Sequence, residues 1–141
     1  MKKLKVYTDG GARGNPGPAG IGIVIKDGKK TVFSHSDYIG QATNNIAEYQ
    51  AISKAFDWLI KNRNLLANFD HINFYLDSLL IASQLSGRYK IKAPHLAALA
   101  IAIKNKEKQL PAKISYHHIV RAKNTEADVL VNQALDRIAK N

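Results

Sequence analysis

Cysteine is absent from the 141-residue chain, and its absence excludes disulfide bonds, thiolate zinc sites and cysteine nucleophiles. Long apolar runs are missing too. The N-terminus reads Met1-Lys2-Lys3-Leu4-Lys5-Val6, so charged residues interrupt any signal-peptide core before it forms. The sequence therefore predicts a soluble, cytoplasmic protein without a membrane partner.

Acidic residues are scarce. The chain has 11 Asp and Glu against 21 Lys and Arg, which gives a formal net charge of +10. Both halves of the chain carry the bases, so the excess belongs to the folded body rather than to a basic tail. Such a field attracts polyanions but does not by itself distinguish nucleic acid from an anionic membrane. Of the two, nucleic acid is the preferred interpretation.

Composition is otherwise that of a globular protein, with 45% hydrophobic and 23% charged residues. No linker, repeat or long low-complexity tract divides the chain, so we expect a single domain over residues 1–141 with one core.

The hydrophobic pattern predicts the element order βββαβααβα, and hence a mixed sheet covered by helices. Asp27-Gly28 is typical of a type I′ hairpin turn, which indicates that the first three strands form an antiparallel meander. The fourth strand is nearly all apolar, as in strands that a crossover helix precedes. The predicted strands span 3–9, 20–26, 31–39, 72–76 and 113–120, and the helices 44–62, 78–86, 94–108 and 125–139.

Glycine recurs at every third position of the segment 11–20. The segment is too short for a collagen helix, and it lacks the Gly-Lys-Ser/Thr of a phosphate loop. A long turn between two strands is the simpler interpretation. So many Gly and Pro residues would also let the backbone pass close to a bound partner.

Four acids stand where predicted strands end or helices begin. Taken singly, each has a structural explanation: a turn for Asp9, an N-cap for Asp77, and a capping box for both Glu48 and Asp128. The two boxes would be Asn45-x-x-Glu48 and Thr125-x-x-Asp128.

Taken together, these four carboxylates would meet at one edge of the sheet. Two unit charges about 4 Å apart repel by roughly 4 kcal/mol at an effective dielectric of 20, and divalent cations remove that cost. Oxygen ligands suit Mg²⁺ or Mn²⁺. An acidic, metal-loaded pocket in a basic surface is what hydrolysis of a phosphodiester backbone requires.

The segments that carry these acids resemble the signatures of the type 1 ribonuclease H family, and the resemblance covers essentially the whole chain. It implies a ribonuclease H-like fold, a mixed five-stranded sheet with three antiparallel strands followed by two parallel ones. It also implies hydrolysis of the RNA strand of RNA–DNA hybrids with two Mg²⁺ ions, for which Mn²⁺ substitutes, leaving 5′-phosphate and 3′-hydroxyl ends. The matching segments are Thr8-Asp9-Gly10-Gly11, Gly14 to Gly22, Thr43 to Tyr49, Tyr75-Leu76-Asp77-Ser78 and Asn124 to Asp128.

The same resemblance assigns roles to individual residues. It implies that Asp9, Glu48, Asp77 and Asp128 are the catalytic metal ligands. It further implies that Thr43 and Asn15 hold a phosphate of the DNA strand. The implied substrate-binding residues are Gly10, Gly11, Asn15, Thr43, Asn44 and Asn45.

Two departures from the family pattern indicate a short-loop, archaeal-like variant. Leu79 stands where many relatives have Gln, so a polar substrate contact is lost there. No long Trp- and Lys-rich protrusion follows Gly87. The stretch Arg88-Tyr89-Lys90-Ile91-Lys92 either takes over part of its role or is a solvated charged loop.

A third feature concerns the loop ahead of the fourth carboxylate, where many relatives carry a His that assists product release. Here His117 and His118 fall in a strand pattern, which predicts that they point to opposite faces of the sheet. Arg121 lies closer to Asp128 and resembles the Arg of archaeal-like members. We therefore place Arg121 among the catalytic residues, as a permanent cation that draws off the product.

Two functions of different classes follow. The first is an endonuclease that acts as a monomer on RNA–DNA hybrid, with cleavage of double-stranded RNA left open. The second is a catalytically silent module that binds hybrid or duplex RNA through its basic surface. Integrases and transposases share the fold but match the four signatures less well. Metal-dependent cleavage separates the first two.

Overall fold

The computed structural model describes residues 2–139. Its strands are β1 (Lys2–Ala12), β2 (Gly17–Asp27), β3 (Lys30–Ala42), β4 (Phe69–Leu76) and β5 (Lys113–His118). Its helices are α1 (Asn44–Lys61), α2 (Leu79–Leu85), α3 (Pro94–Glu107) and α4 (Thr125–Ala139), with a 3₁₀ turn at Arg121–Lys123.

One five-stranded sheet, in the spatial order β3-β2-β1-β4-β5, organises these elements. β2 runs antiparallel to both β1 and β3, whereas β4 runs parallel to β1 and to β5. The predicted α/β fold with a mixed sheet is therefore confirmed, including the antiparallel meander and the two parallel strands.

The glycine-rich segment departs from the prediction, because it is not a long turn. β1 continues to Ala12 and β2 begins at Gly17, so Gly11 pairs with Gly20 and Ala12 with Ala19. Glycine has low strand propensity, which hides these positions from pattern reading. Here the missing side chains make room for neighbouring helices.

The last strand is shorter than predicted. β5 ends at His118 rather than at residue 120. The Ile119 N–H still donates to the Leu76 carbonyl at 2.8 Å, and the chain then leaves the sheet for the turn Arg121–Lys123. The apolar residues Ile119 and Val120 extended the pattern beyond the strand itself.

Helices cover both faces of the sheet, and adjacent glycines of β1 show which helix lies on which face. A Cβ on Gly10 would meet the backbone of Ala47 in α1, whereas a Cβ on Gly11 would approach Val131 in α4. Because successive strand residues point to opposite faces, α1 and α4 lie on opposite sides. The main core is on the α1 side, where the Phe56 and Phe74 rings stack 4.7 Å apart.

Two strand glycines determine how close the helices come. A Cβ on Gly10 would lie 2.3 Å from the Ala47 carbonyl carbon, and a Cβ on Gly22 would lie 2.2 Å from the Ala127 carbonyl oxygen. Gly22 pairs with Asp9 across the β1–β2 ladder. The first turns of α1 and α4 are thereby brought next to the end of β1.

No helix among residues 2–139 combines the length and the hydropathy that crossing a bilayer requires.

Gly22→Ala is expected to lower the free energy of unfolding by about 1–3 kcal/mol, the usual cost of overpacking, because the added methyl would overlap the backbone of α4. Urea denaturation measures this cost. Gly11→Ala is the matched control, because its Cβ meets only ordinary contacts, the nearest at 3.8 Å. Equal stability of the two variants would contradict the close helix contact.

Candidate active site

Three carboxylates converge at one end of the parallel strands. Asp9 lies near the end of β1, Asp77 follows β4 directly, and Glu48 comes from α1. Parallel pairing of β1 with β4 aligns Tyr7 with Tyr75, which places the two Asp residues side by side. Each of the three acids offers an oxygen within 4.8 Å of the other two. We call Asp9, Glu48 and Asp77 the carboxylate trio.

The fourth predicted acid lies near the trio without joining it. Asp128, in the first turn of α4, lines the same groove of about 640 Å³ as the trio. Its carboxylate is outside the set of oxygens that lie within 4.8 Å of one another in residues 2–139. The structure thus brings all four acids to one groove, three of them in direct proximity.

The capping explanation for Glu48 is wrong. The N-cap of α1 is Thr43, whose hydroxyl accepts the Ile46 N–H at 3.2 Å. Asn45 lies inside the helix and Glu48 beyond its first turn, so no Asn45-x-x-Glu48 box forms. The carboxylate of Glu48 is buried instead, with the residue 8% exposed.

The other helix-cap explanations are wrong as well. Ser78, and not Asp77, caps α2 by accepting the Ile81 N–H at 3.2 Å. In α4 the Asp128 N–H donates to the Asn124 carbonyl. This bond makes Thr125 the first helical residue, so Thr125-x-x-Asp128 is not a capping box.

The turn explanation for Asp9 fails too, because β1 continues three residues beyond it to Ala12. The Asp9 carboxylate accepts the N–H of Gly10 at 3.0 Å, but the chain does not turn there. None of the four acids is accounted for by local backbone geometry.

Burial and repulsion between carboxylates raise the pKa values of two members of the trio, Asp9 and Glu48. Burial raises the pKa of Asp9 to about 7, with the charge of Asp77 adding to the effect. Burial also holds the pKa of Glu48 well above its usual range, and the charges of Asp9 and Asp77 act in the same direction. Carboxylates in such a place favour either a proton or a cation.

The trio fits a divalent metal ion. Oδ2 of Asp77 is buried and has no hydrogen-bond partner among the described residues. The nearest cation, Nε of Arg121, is 3.9 Å away, beyond hydrogen-bond distance. Three carboxylates without sulfur or imidazole are the donor set that Mg²⁺ and Mn²⁺ prefer.

Three predicted substrate residues use their side-chain oxygens to hold the local backbone in place. The Asn44 side-chain oxygen accepts the Ala12 N–H at 2.8 Å, and the Asn15 side-chain oxygen accepts the Asn44 N–H at 3.0 Å. These bonds fasten the turn between β1 and β2 to the start of α1. Thr43 caps the same helix, so its hydroxyl oxygen is engaged as well.

The groove lining contains only part of the predicted set. Gly10, Gly11, Asn44, Asn45 and Arg121 line the groove. Asn15 and Thr43 do not line it: Asn15 is hydrogen-bonded to Asn44, and Thr43 precedes Asn44 in the chain.

Three further residues escaped the sequence analysis. Asn124 is 1% exposed, and its Nδ2 donates to the Thr8 carbonyl at 2.9 Å, which ties the start of α4 to β1 beside Asp9. Arg13 and Asn132 line the groove, with Arg13 paired to Asp136 at 2.6 Å. These contacts join residues more than 110 positions apart, which no local spacing reveals. Of the three residues, only Asn124 had a signal in the sequence, because it begins the segment Asn124 to Asp128 that resembles a family signature.

Comparisons with known proteins agree with this geometry. A family model described as reverse transcriptase-like matches residues 7–134. The structure of LC11-RNase H1, isolated from compost by a metagenomic approach, is 44% identical with a TM-score of 0.92, over 99% of both chains. The same protein has been solved in complex with an RNA/DNA hybrid, with 41% identity, a TM-score of 0.89, and coverage of 96% of this chain and 99% of that one.

Sequence relatives include proteins with the same family name. Ribonuclease HI of Halobacterium salinarum is 36% identical over 138 residues, which are 95% of this chain and 65% of that protein. The bifunctional protein Rv2228c of Mycobacterium tuberculosis is 37% identical over 141 residues, covering 99% of this chain. This chain spans only 37% of the length of Rv2228c.

The five-stranded mixed sheet and the match over residues 7–134 place the chain in the reverse transcriptase-like class of domains. The chain belongs to the type 1 ribonuclease H family.

Asp9→Asn is expected to stabilise the metal-free protein at about pH 8 but not below about pH 4. Unfolded Asp9 ionises near its ordinary pKa of 3.8, whereas the native state keeps the proton until about 7. Between these values the native state binds more protons, so the free energy of unfolding of the wild type falls as pH rises. Asn carries no such penalty.

Urea denaturation in EDTA across this pH range measures the difference between variant and wild type. Asp70→Asn, an exposed Asp at the opposite end of β4, is the control and should show no such window. A difference between Asp9→Asn and wild type that is constant with pH would contradict the raised pKa.

Proposed function

We propose that this chain is an endonuclease that hydrolyses the RNA strand of RNA–DNA hybrids and leaves 5′-phosphate and 3′-hydroxyl ends. The observation that carries the proposal is the carboxylate trio, with a buried, unpartnered oxygen on Asp77 and with Asp128 in the same groove. The hybrid complex of LC11-RNase H1, 41% identical to this chain, supports the choice of substrate.

The four carboxylates would hold two Mg²⁺ ions, or Mn²⁺ in their place. When bound, such ions generate a nucleophile from water at neutral pH and stabilise the leaving oxygen. Asp9 and Glu48 are fixed by burial, so their oxygens are positioned before any ion arrives. Asp128 would complete the ligand set from α4, on the opposite face of the sheet from α1.

Other residues of the groove would position the substrate. Gly10 and Gly11 present bare backbone in the groove lining, which allows close approach of a nucleic-acid strand. The exposed amide of Asn45 can bond 2′-hydroxyls or base edges, which distinguish RNA from DNA. We assign Asn15 and Thr43, beside Asn44, to a phosphate of the DNA strand.

The remaining expectations concern cellular context. The excess of bases favours a polyanionic partner, and we propose that the chain acts in the cytoplasm as one domain and as a monomer. The competing function is the catalytically silent binding module. The buried Asp77 oxygen without a hydrogen-bond partner argues against that function, because burying such a group is costly and nucleic-acid binding alone does not require a buried carboxylate cluster.

Asp9→Asn is expected to reduce hybrid cleavage at least a hundredfold while hybrid affinity stays within about threefold, because the change removes a metal ligand and keeps the side-chain volume. Cleavage is followed on labelled hybrid, duplex RNA and duplex DNA with and without Mg²⁺. Asp70→Asn removes the same charge outside the groove and should cleave like the wild type. Near wild-type cleavage by Asp9→Asn would contradict the proposed site, and equal loss of binding and folding would favour a structural role.

Arg121→Ala is expected to slow turnover more than His118→Ala. Arg121 lines the groove with its Nε 3.9 Å from Asp77, whereas His118, the exposed last residue of β5, does not line it. Single-turnover and steady-state rates on hybrid, measured across neutral pH, test this. A greater effect of His118→Ala, or an inflection near pH 6.5 that this variant erases, would transfer the loop role to His118.

A further inference from the structure

One face of the sheet carries a row of stacked rings. Strand pairing aligns Tyr7 in β1 with Tyr75 in β4 and with His117 in β5. The Tyr7 and Tyr75 rings stack with centroids 5.1 Å apart, and the Tyr75 and His117 rings with centroids 5.3 Å apart. Since β5 is the edge strand and His117 is exposed, the row ends with a ring face turned away from Tyr75. We call these three residues the ring row.

Lysines lie on the same face of the sheet as the ring row, toward the N-terminal ends of its strands. Lys3, Lys5 and Lys113 are an even number of residues from a member of the row on their own strands, and strand alternation therefore directs them to its side. All three are exposed, and none forms an ion pair with another described residue. The part of the face near the N-terminal ends of β1 and β5 therefore carries positive charge that no ion pair among the described residues offsets.

A polar pocket lies where the ring row ends. It has a volume of about 340 Å³ and follows the free edge of β5, lined by His117 and Ser115 of that strand and by Ser86 and Arg88 beyond α2. Lys104 also lines the pocket, but its ammonium is already bonded to the Leu85 carbonyl and to Glu107. Arg88 forms no ion pair with the residues of 2–139 and is exposed.

We propose that this face binds a single strand of nucleic acid, with one base stacked on the outer face of His117 in the pocket at the β5 edge. Aromatic faces attract unpaired bases of any sequence, and lysines beside them neutralise the phosphates. Bases of a duplex are already stacked on both sides and have no free face for His117. The site is distinct from the carboxylate groove and does not depend on hydrolysis.

The test is fluorescence anisotropy with a short labelled RNA of mixed sequence and with DNA of the same sequence, in EDTA so that no strand is cut. Loss of one stacked base costs roughly 1–3 kcal/mol, so His117→Ala should weaken binding at least fivefold. His117→Phe keeps a ring and should bind like the wild type. His95→Ala, at the exposed start of α3, is the matched control and should have no effect.

Lys113→Ala should lower the salt dependence of binding by about one unit, since it removes one phosphate contact. Lys61→Ala, at the far end of α1, removes the same charge away from the face and should not. Comparison of the RNA and the DNA oligonucleotide shows whether the sugar affects binding at this site. Weaker binding of either oligonucleotide to His117→Ala supports the proposal.

The proposal is overturned if His117→Ala binds as tightly as His95→Ala, or if His117→Phe binds as weakly as His117→Ala. It is also overturned if Lys113→Ala weakens binding to vesicles of anionic lipid while leaving the oligonucleotide unaffected. Hybrid cleavage by His117→Ala should equal that of the wild type. If the proposed carboxylate site is wrong, Asp9→Asn will cleave hybrid at a near wild-type rate, and this result does not affect the measurement of single-strand binding.

Discussion

The approach of two helices to bare strand backbone is the contact on which the groove depends. At Gly10 and Gly22 the sheet has no side chain, and the backbones at Ala47 and Ala127 occupy that space. Glu48 is the residue after Ala47, and Asp128 is the residue after Ala127. Because β1 at Gly10 and β2 at Gly22 carry no side chain, both helices pack close to the sheet, and both carboxylates reach the end of β1. A methyl group at either glycine would displace the helix that packs on it.

This packing opposes the electrostatics of the site it builds. Isolated acids avoid one another, and burial makes each charge more costly. The raised pKa values of Asp9 and Glu48 are the measure of that conflict. The hydrophobic core under α1 supplies the free energy that holds the acids of the trio together without a cation.

How far the sequence predicts this depends on the range of the interaction. Alternation and helical spacing are local, and they predicted the order of strands and helices along the chain. They failed where glycine concealed the end of β1 and the start of β2, and where Val120 prolonged the pattern of β5. The positions of the four acids at predicted strand ends and helix starts singled them out, and the resemblance gave them their roles as metal ligands. Other contacts depend on which distant elements become neighbours, and local spacing does not predict them. They are the bond from the Asn124 amide to the Thr8 carbonyl, the Arg13–Asp136 pair and the ring row.

The bond from Asn124 to Thr8 has a further consequence. The carboxylate trio belongs to one block of β1, β4 and α1. Asp128 belongs to α4, which the Gly22 contact holds against β2 and the Asn124 amide fastens to β1. The distance between the trio and Asp128 is thus set by how α4 packs on the sheet, and not by the geometry of a single helix or strand. A ligand that contacted both halves of the groove would therefore also stabilise the attachment of α4 to the sheet.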